Sequence, residues 1–266
     1  MTTEKIEDAV EQIKAYYRVR ANTEKYATSP DFNLREVEIH FMGQWLKDGQ
    51  KVLDVGCGNG YSTLSHAARF RSSFTGIDFV AEMVESAQEF SANFRLVGDT
   101  DFRVGDATAL NFADGAFDIV MSQRCLLNLP SRDAQWRAMT EIARVLKPGG
   151  LYLMLEGTLQ GLRRLNEHRQ LFGLDAIPEA ESSYNWFSNK FDEPEMLERA
   201  RGCFTSVEHV QRFGMYYLIS RIIHPLLISP ANPRYDAPIN SVARMICEKL
   251  PDFDELGHVA LFVFRK

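Results

Sequence analysis

Five residues in the first third of the chain have types and spacings suited to binding a nucleotide-like ligand. Gly56, Gly58 and Gly60 alternate directly after the apolar run 52–55, with Asp54 in front of them and Asp78 following at a distance of roughly 20 residues. Glycines in such a run let the backbone turn sharply and come close to a ligand, because no Cβ is in the way. Cys57 and Asn59 fill the alternate positions of the loop. A helix opening directly behind them would present unpaired N–H groups. A carboxylate placed where Asp78 stands can accept hydrogen bonds from both hydroxyls of a ribose. Its alternative role is to cap the helix that follows.

These residues require strand–turn–helix units to hold them. Residues 52–55 read as a buried strand and 61–71 as a helix; 73–78 read as a second strand ending on Asp78, followed by a helix over 81–92. Residues 101–104 form a third short strand leading into Gly105, Asp106 and Ala107, and a fourth is centred on 117–120. A helix over 133–145, capped by Ser131, precedes Lys147-Pro148-Gly149-Gly150 and a fifth strand over 151–155. The fold class expected is therefore α/β: a Rossmann-like, seven-stranded sheet with helices on both faces. In open sheets of this kind ligands sit beyond the carboxyl ends of the strands. That places Gln123, Arg124, Cys125 and Asn128 at the site, with Glu156 at the corresponding end of strand five.

The run Asp54-Val-Gly-Cys-Gly-Asn-Gly60 resembles the first motif of class I S-adenosylmethionine-dependent methyltransferases, of the type acting on small molecules. The G-x-G-x-x-G dinucleotide fingerprint fails at its last position. The Lys-Pro-Gly-Gly turn and the five strands in order extend the resemblance over about 51–156. It implies S-adenosylmethionine as cofactor. It also implies that Asp106, with Ala107, lies against the adenine amino group, and that Gln123 and its neighbours border the methionine end. Phe79 and Met83 are placed to pack on the adenine face. Asp118 reads as structural.

The flanking regions carry the candidates for acceptor recognition and closure. Residues 4–20 show apolar positions at helical spacing, and Asn33 is a candidate cap for a second helix running to about 46. Residues 1–48 thus read as an N-terminal helical cap on a domain spanning 49–266. Tyr26 and Arg35 are its candidate cofactor contacts, an aromatic edge near the sulfonium and a cation for a carboxylate. Residues 157–203 and 222–257 read as acceptor-side additions, the latter an insertion between the last two strands, expected over 205–219 and 259–264. Tyr184, Asn185, Trp186, Tyr235 and Asp236 offer polar and aromatic surface to an acceptor. His168 and Glu156 are candidate general bases, with packing as the alternative for each. Arg124 is the candidate to orient an anionic acceptor, with a surface salt bridge as its alternative.

Composition narrows the classes. A net charge of −6 disfavours a dedicated nucleic-acid binder. Four scattered cysteines form no C-x-x-C pair, so no zinc site is expected. The charged N-terminus lacks an apolar signal core and no run approaches membrane-spanning length, so a cytoplasmic protein with no membrane partner is expected. The reading is methyl transfer to oxygen or nitrogen of a small molecule or saccharide, in bacterial secondary or surface-polysaccharide metabolism. The alternatives are a non-catalytic S-adenosylmethionine-binding regulator, a tRNA or protein methyltransferase, and a nicotinamide-dependent oxidoreductase. A homodimer contact is an alternative role for 222–257.

Overall fold

The computed structural model describes residues 3–23, 27–179, 188–253 and 256–266. Seven strands form one sheet: β1 (Lys51–Val55), β2 (Ser73–Asp78), β3 (Asp99–Val104), β4 (Phe117–Gln123), β5 (Leu146–Gly157), β6 (Ser206–Gln211) and β7 (Val259–Arg265). Their order is β3-β2-β1-β4-β5-β7-β6. All neighbouring pairs are parallel except those made by β7, which runs antiparallel to both β5 and β6. The order reverses between β1 and β4, so the carboxyl ends of these two strands flank the crevice where ligands of such sheets sit.

β1 reads as a continuous apolar run because both of its faces are covered. Alternate side chains enter opposite layers. Leu53 and Val55 join Val120, Tyr152 and Met154 under α5 (Arg132–Val145) and α7 (Glu193–Ala200). Val52 packs with Phe74, Ile119, Met121 and Leu153 under α2 (Phe32–Gly43). Truncating one of these, as in Leu53→Ala, would cost about 2–5 kcal/mol. α3 (Tyr61–Ala67) and α4 (Ala81–Ser91) complete the first half of the sheet, and α6 (Leu159–Leu171) follows β5. α1 (Thr3–Arg18) docks on α4, where Arg18 meets Glu82 at 2.6 Å and Ser86 Oγ donates to the carbonyl of Ala21 at 2.8 Å.

Three elements differ from the sequence expectation. α2 is capped by Asp31, whose carboxylate accepts from Leu34 N–H at 3.1 Å, and not by Asn33. β5 begins at Leu146, so the Lys-Pro-Gly-Gly segment belongs to the strand, with Gly149 at φ +78° and a register shift against β4. The long strand expected over 205–219 ends at Gln211. Phe213 adopts φ +59° and the chain turns into α8 (Gly214–Tyr217), a π-type turn (Leu218–Ile223) and α9 (His224–Ile228). Asp252 holds this start by accepting from Gly214 and Met215 N–H at 3.0 and 2.8 Å. The helical alternative wins because it buries Tyr216, Tyr217, Ile219 and Ile222 together, which alternation along a strand cannot do.

The C-terminal excursion and the N-terminal cap meet. α10 (Pro238–Lys249) packs against α2 and α8. Ser241 Oγ reaches Asn33 Oδ1 at 3.3 Å, and Tyr216 donates its hydroxyl to Asp31 Oδ1 at 2.7 Å. Segments nearly 200 residues apart in sequence, roughly the whole length of a domain, therefore form one helical layer over the carboxyl edge.

Candidate active site

The glycine loop leaves β1 with Gly56, Gly58 and Gly60 at φ +75°, +56° and +75°. L-residues rarely adopt this region, and space reinforces the requirement. A Cβ on Gly56 would lie 2.2 Å from Cys125 Sγ, and one on Gly58 would lie 2.6 Å from Thr28 Cγ2. The loop thus forms the floor of a narrow cleft walled by Tyr17, Thr28, Arg35, Asp54, Cys57, Asp78, Phe79, Met83, Gln123, Arg124 and Cys125 among others.

Two buried carboxylates face this cleft. Asp78 accepts from Gly58 N–H at 2.9 Å through Oδ2 and from Val80 N–H at 3.0 Å through Oδ1. Each oxygen keeps acceptor capacity for a ribose hydroxyl. Burial raises its pKa to about 6, against the opposing pull of these backbone N–H groups. Asp54 accepts from Thr63 Oγ1 at 2.6 Å and is likewise raised to about 6 by burial. Arg35, only 2% exposed, projects from α2 with its guanidinium 4.9 Å over the Tyr61 ring. Burial, then repulsion from Arg124, lowers its pKa to about 10, so it remains a cation at neutral pH.

The turn after β4 is wired to α2. Gln123 accepts from Ser62 Oγ at 2.5 Å and donates to Glu38 Oε2 at 2.6 Å. Arg124 bonds the same Glu38 oxygen at 3.1 Å and Ser29 Oγ at 3.2 Å, while its backbone sits at φ +52°. A non-glycine residue in this region carries strain of about 1–3 kcal/mol that surrounding contacts must offset. Here Glu38 and Ser29, together with Arg124 N–H donating to Leu155 O at 2.7 Å, hold the residue.

A second, wider cavity of about 450 Å³ adjoins the cleft, and the two share Tyr17, Thr28, Arg124 and Asn128 in their walls. Asn128 Nδ2 donates to the Tyr17 hydroxyl at 2.9 Å across this boundary. Beyond it the cavity meets Arg169, Arg221, His224, Tyr235, Asn240 and His258. The cleft itself is only about 70 Å³, well under the ~300–1,000 Å³ usual for small-molecule sites. Tyr17 and Thr28, from the N-terminal segment, stand between this cleft and the wide cavity.

Several expected site residues lie elsewhere. Glu156 is fully buried outside both cavities; its carboxylate accepts from Cys125, Leu126 and Leu127 N–H at 3.1, 2.9 and 3.2 Å. Burial raises its pKa to about 7, but its work is to anchor the turn carrying Arg124 and Cys125, and it has no path to an acceptor as a base. His168 points away from the wide cavity and its Nδ1 meets Arg164 O at 2.8 Å, while its neighbour Arg169 faces the cavity. Asp106 is exposed and closes a turn on Thr108, through N–H at 2.7 Å and Oγ1 at 2.8 Å. Ala107 belongs to the core beside Leu110. Asn59 is buried under the loop, outside the cleft walls. Tyr26, Tyr184, Asn185 and Trp186 lie outside the described residues.

The sequence reading missed Glu38, His224 and His258. Glu38 follows Arg35 by one helical turn, so it had to share that face. His258 stands immediately before β7. Because β7 is antiparallel, its amino end lies at the same edge as the carboxyl ends of the other strands, which brings His258 to the ligand side. His224 had no such signal, since the helical path after Phe213 delivers it.

Comparison with known proteins agrees with this architecture. The family described as "Methyltransferase domain" matches residues 52–150. Demethylmenaquinone methyltransferase of Staphylococcus aureus is 33% identical over 172 residues, covering 63% of this chain and 66% of that protein. The 27-O-demethylrifamycin SV methyltransferase of Amycolatopsis mediterranei is 33% identical over 105 residues, covering 40% of this chain and 38% of that one. A solved SAM-dependent methyltransferase from Methanosarcina mazei superposes with a TM-score of 0.57 at 20% identity, over 85% of this chain and 96% of its own. The chain spans 21% to 38% of the length of five curated relatives that it matches. The fold is that of the Rossmann-like methyltransferases. Over residues 52–150 the chain carries a methyltransferase domain, with the fold of the class I S-adenosylmethionine-dependent enzymes. The residues lining the cleft suit that family's cofactor chemically: a glycine floor that any Cβ would fill, two buried carboxylates and a buried cation in Arg35.

Proposed function

We propose that the protein transfers a methyl group from S-adenosylmethionine to an oxygen or nitrogen of a small molecule held in the wide cavity. The observation that carries this reading is the common wall of Tyr17, Thr28, Arg124 and Asn128 between the glycine-floored cleft and the 450 Å³ cavity. A donor in the first then faces an acceptor in the second. The sulfonium supplies an already activated methyl, so the chain's own task is alignment and exclusion of water. Asp78 and Arg35 hold the two ends of the donor. Tyr17 and Thr28 close over it.

His258 replaces His168 and Glu156 as the group that meets the acceptor's proton. It lines the cavity, and its Nδ1 is buried with no hydrogen-bond partner among the described residues. Burial, then the charges of Arg221, Lys190 and Arg124, lowers its pKa to about 3. The imidazole is therefore neutral near pH 7 and Nδ1 can accept a hydrogen bond from a hydroxyl nucleophile. A cavity of this size suits a metabolite or a monosaccharide unit, consistent with secondary or surface-polysaccharide metabolism in a bacterium. A relative named for 27-O-demethylrifamycin SV supports a small-molecule acceptor.

The test is incubation with methyl-labelled S-adenosylmethionine and an extract separated into small metabolites, saccharides, protein and nucleic acid. Label in the metabolite or saccharide fraction is expected. Label confined to protein or nucleic acid would overturn the acceptor class, and cofactor binding without any transfer would favour the regulator.

A further inference from the structure

The wide cavity has an uneven charge balance. Its innermost carboxylates are already engaged. Asp31 is bound by Arg221 and by the Tyr216 hydroxyl, and Glu38, just behind the wall, is bound by Arg124 and Gln123. Asp175 and Glu179 lie at the exposed rim, where water screens them. Arg169 is different. Its guanidinium is held by two backbone carbonyls, Nε to Asp175 O at 2.9 Å and Nη1 to Arg221 O, and it makes no ion pair with a carboxylate among the described residues. Arg221 repels it more strongly than the exposed Asp175 carboxylate attracts it, although Arg221 is itself paired with Asp31. A half-buried cation whose hydrogen bonds go only to neutral carbonyls favours a further anion beside it.

A second observation points to the same place. His224 lines this cavity, is only 4% exposed, and its Nδ1 has no hydrogen-bond partner among the described residues. It stands one helical turn after Arg221. Buried ring nitrogens are normally satisfied, so one left open in a cavity wall marks a place for a ligand atom. In the tautomer with the proton on Nδ1 it donates. Arg169, Arg221 and His224 then present donors from the end of α6, the π-type turn and α9, with the Tyr235 ring 5.0 Å from the Arg221 guanidinium as a flat wall.

We infer that the acceptor carries an anionic group, a carboxylate or a phosphate monoester, seated against Arg169, Arg221 and His224. This rests on the methyl-transfer reading and names its acceptor class. The anion anchors the far end of the acceptor, and its methyl-receiving atom points back toward Arg124 and His258. Planar guanidinium groups match both oxyanions, often through two parallel bonds.

The experiment is calorimetry on the purified full chain, free and loaded with S-adenosylhomocysteine, using benzoate, phenyl phosphate and the neutral isostere benzamide. At least one anion is expected to bind about ten-fold more tightly than benzamide, as loss of a charge-assisted bond implies. Arg169→Gln should remove that margin and Arg169→Lys should restore part of it, with melting temperatures showing that both variants fold. Benzoate favoured over phenyl phosphate assigns a carboxylate, and the reverse order assigns a phosphate. Equal binding of benzamide and both anions, no anion binding at millimolar concentration, or an Arg169→Gln variant that keeps the margin would each overturn the inference. Because the free chain is titrated as well, failure to bind S-adenosylhomocysteine would count against the methyl-transfer reading alone.

Discussion

The donor cleft and the acceptor cavity share a wall but are built by opposite strategies. The cleft is made mainly of backbone, with a glycine floor from one loop and carboxylates at the carboxyl ends of β1 and β2. The cavity is made of side chains gathered from the segment before α2, the end of β4, α6, the loop at 175–179, the π-type turn, the 233–235 loop and the residue before β7. A backbone-built site tolerates little change and serves one invariant ligand. A side-chain-built site can be respecified by substituting single residues while the sheet stays intact, in keeping with folds that host many substrates.

Gly56→Val is the most severe way to probe this contrast. It combines φ +75° with a Cβ 2.2 Å from Cys125 Sγ, and we expect S-adenosylmethionine affinity to fall about 100-fold or more, measured by calorimetry beside a circular-dichroism check of folding. Near-normal affinity would show that the floor is softer than a backbone cradle should be. Asp78→Ala comes next, at about 1–3 kcal/mol of cofactor binding, because a charged acceptor is lost. Unaltered affinity would remove the ribose role.

Titration sharpens the same side of the comparison. Burial raises Asp78 and Asp54 from 3.8 to about 6 in the free fold. The unfolded chain thus releases these protons first. Their contribution to the stability of the free protein is full below pH 3.8 and is lost as pH rises through about 6. Cofactor binding through an ionised Asp78 has the opposite sign, so affinity should climb between about pH 5 and 7 and level off above. A flat profile for the wild type, or an unchanged slope in Asp78→Asn, would rule out control by this carboxylate.

The smallest effect is expected on the acceptor side, at a residue that sequence pattern alone would choose. His168→Ala should leave kcat within about two-fold, as for substitutions outside a working site, because its ring faces Arg164 O and not the cavity. A larger loss would mean that α6 turns when an acceptor binds.

The difference in construction also explains what could be read in advance. Asp54, the glycines and Asp78 lie within one βαβ unit, so their separation in sequence nearly sets their separation in space. Arg35 was legible for a related reason: it lies on a helix whose cap and face can be read locally, although the cap proved to be Asp31. Asp106 lies in the expected turn, yet its side chain bonds Thr108 and leaves the cleft. His168 was chosen by chemistry without a direction, and one step along α6 decided that Arg169 would face the cavity in its place.

The amino-acid order by itself determined the strand–glycine–helix unit and the parallel half of the sheet, because these rest on local φ requirements and on periodicity; the cofactor class followed from the resemblance of the glycine motif to a known family. Tertiary structure alone decided that the chain turns helical after Phe213, that Tyr216 and Arg221 reach back to Asp31, and that His224 and His258 enter one cavity with Arg169. Those contacts join residues up to 190 positions apart. Only burial of both partners in one helical layer, and not any short-range preference, selects them.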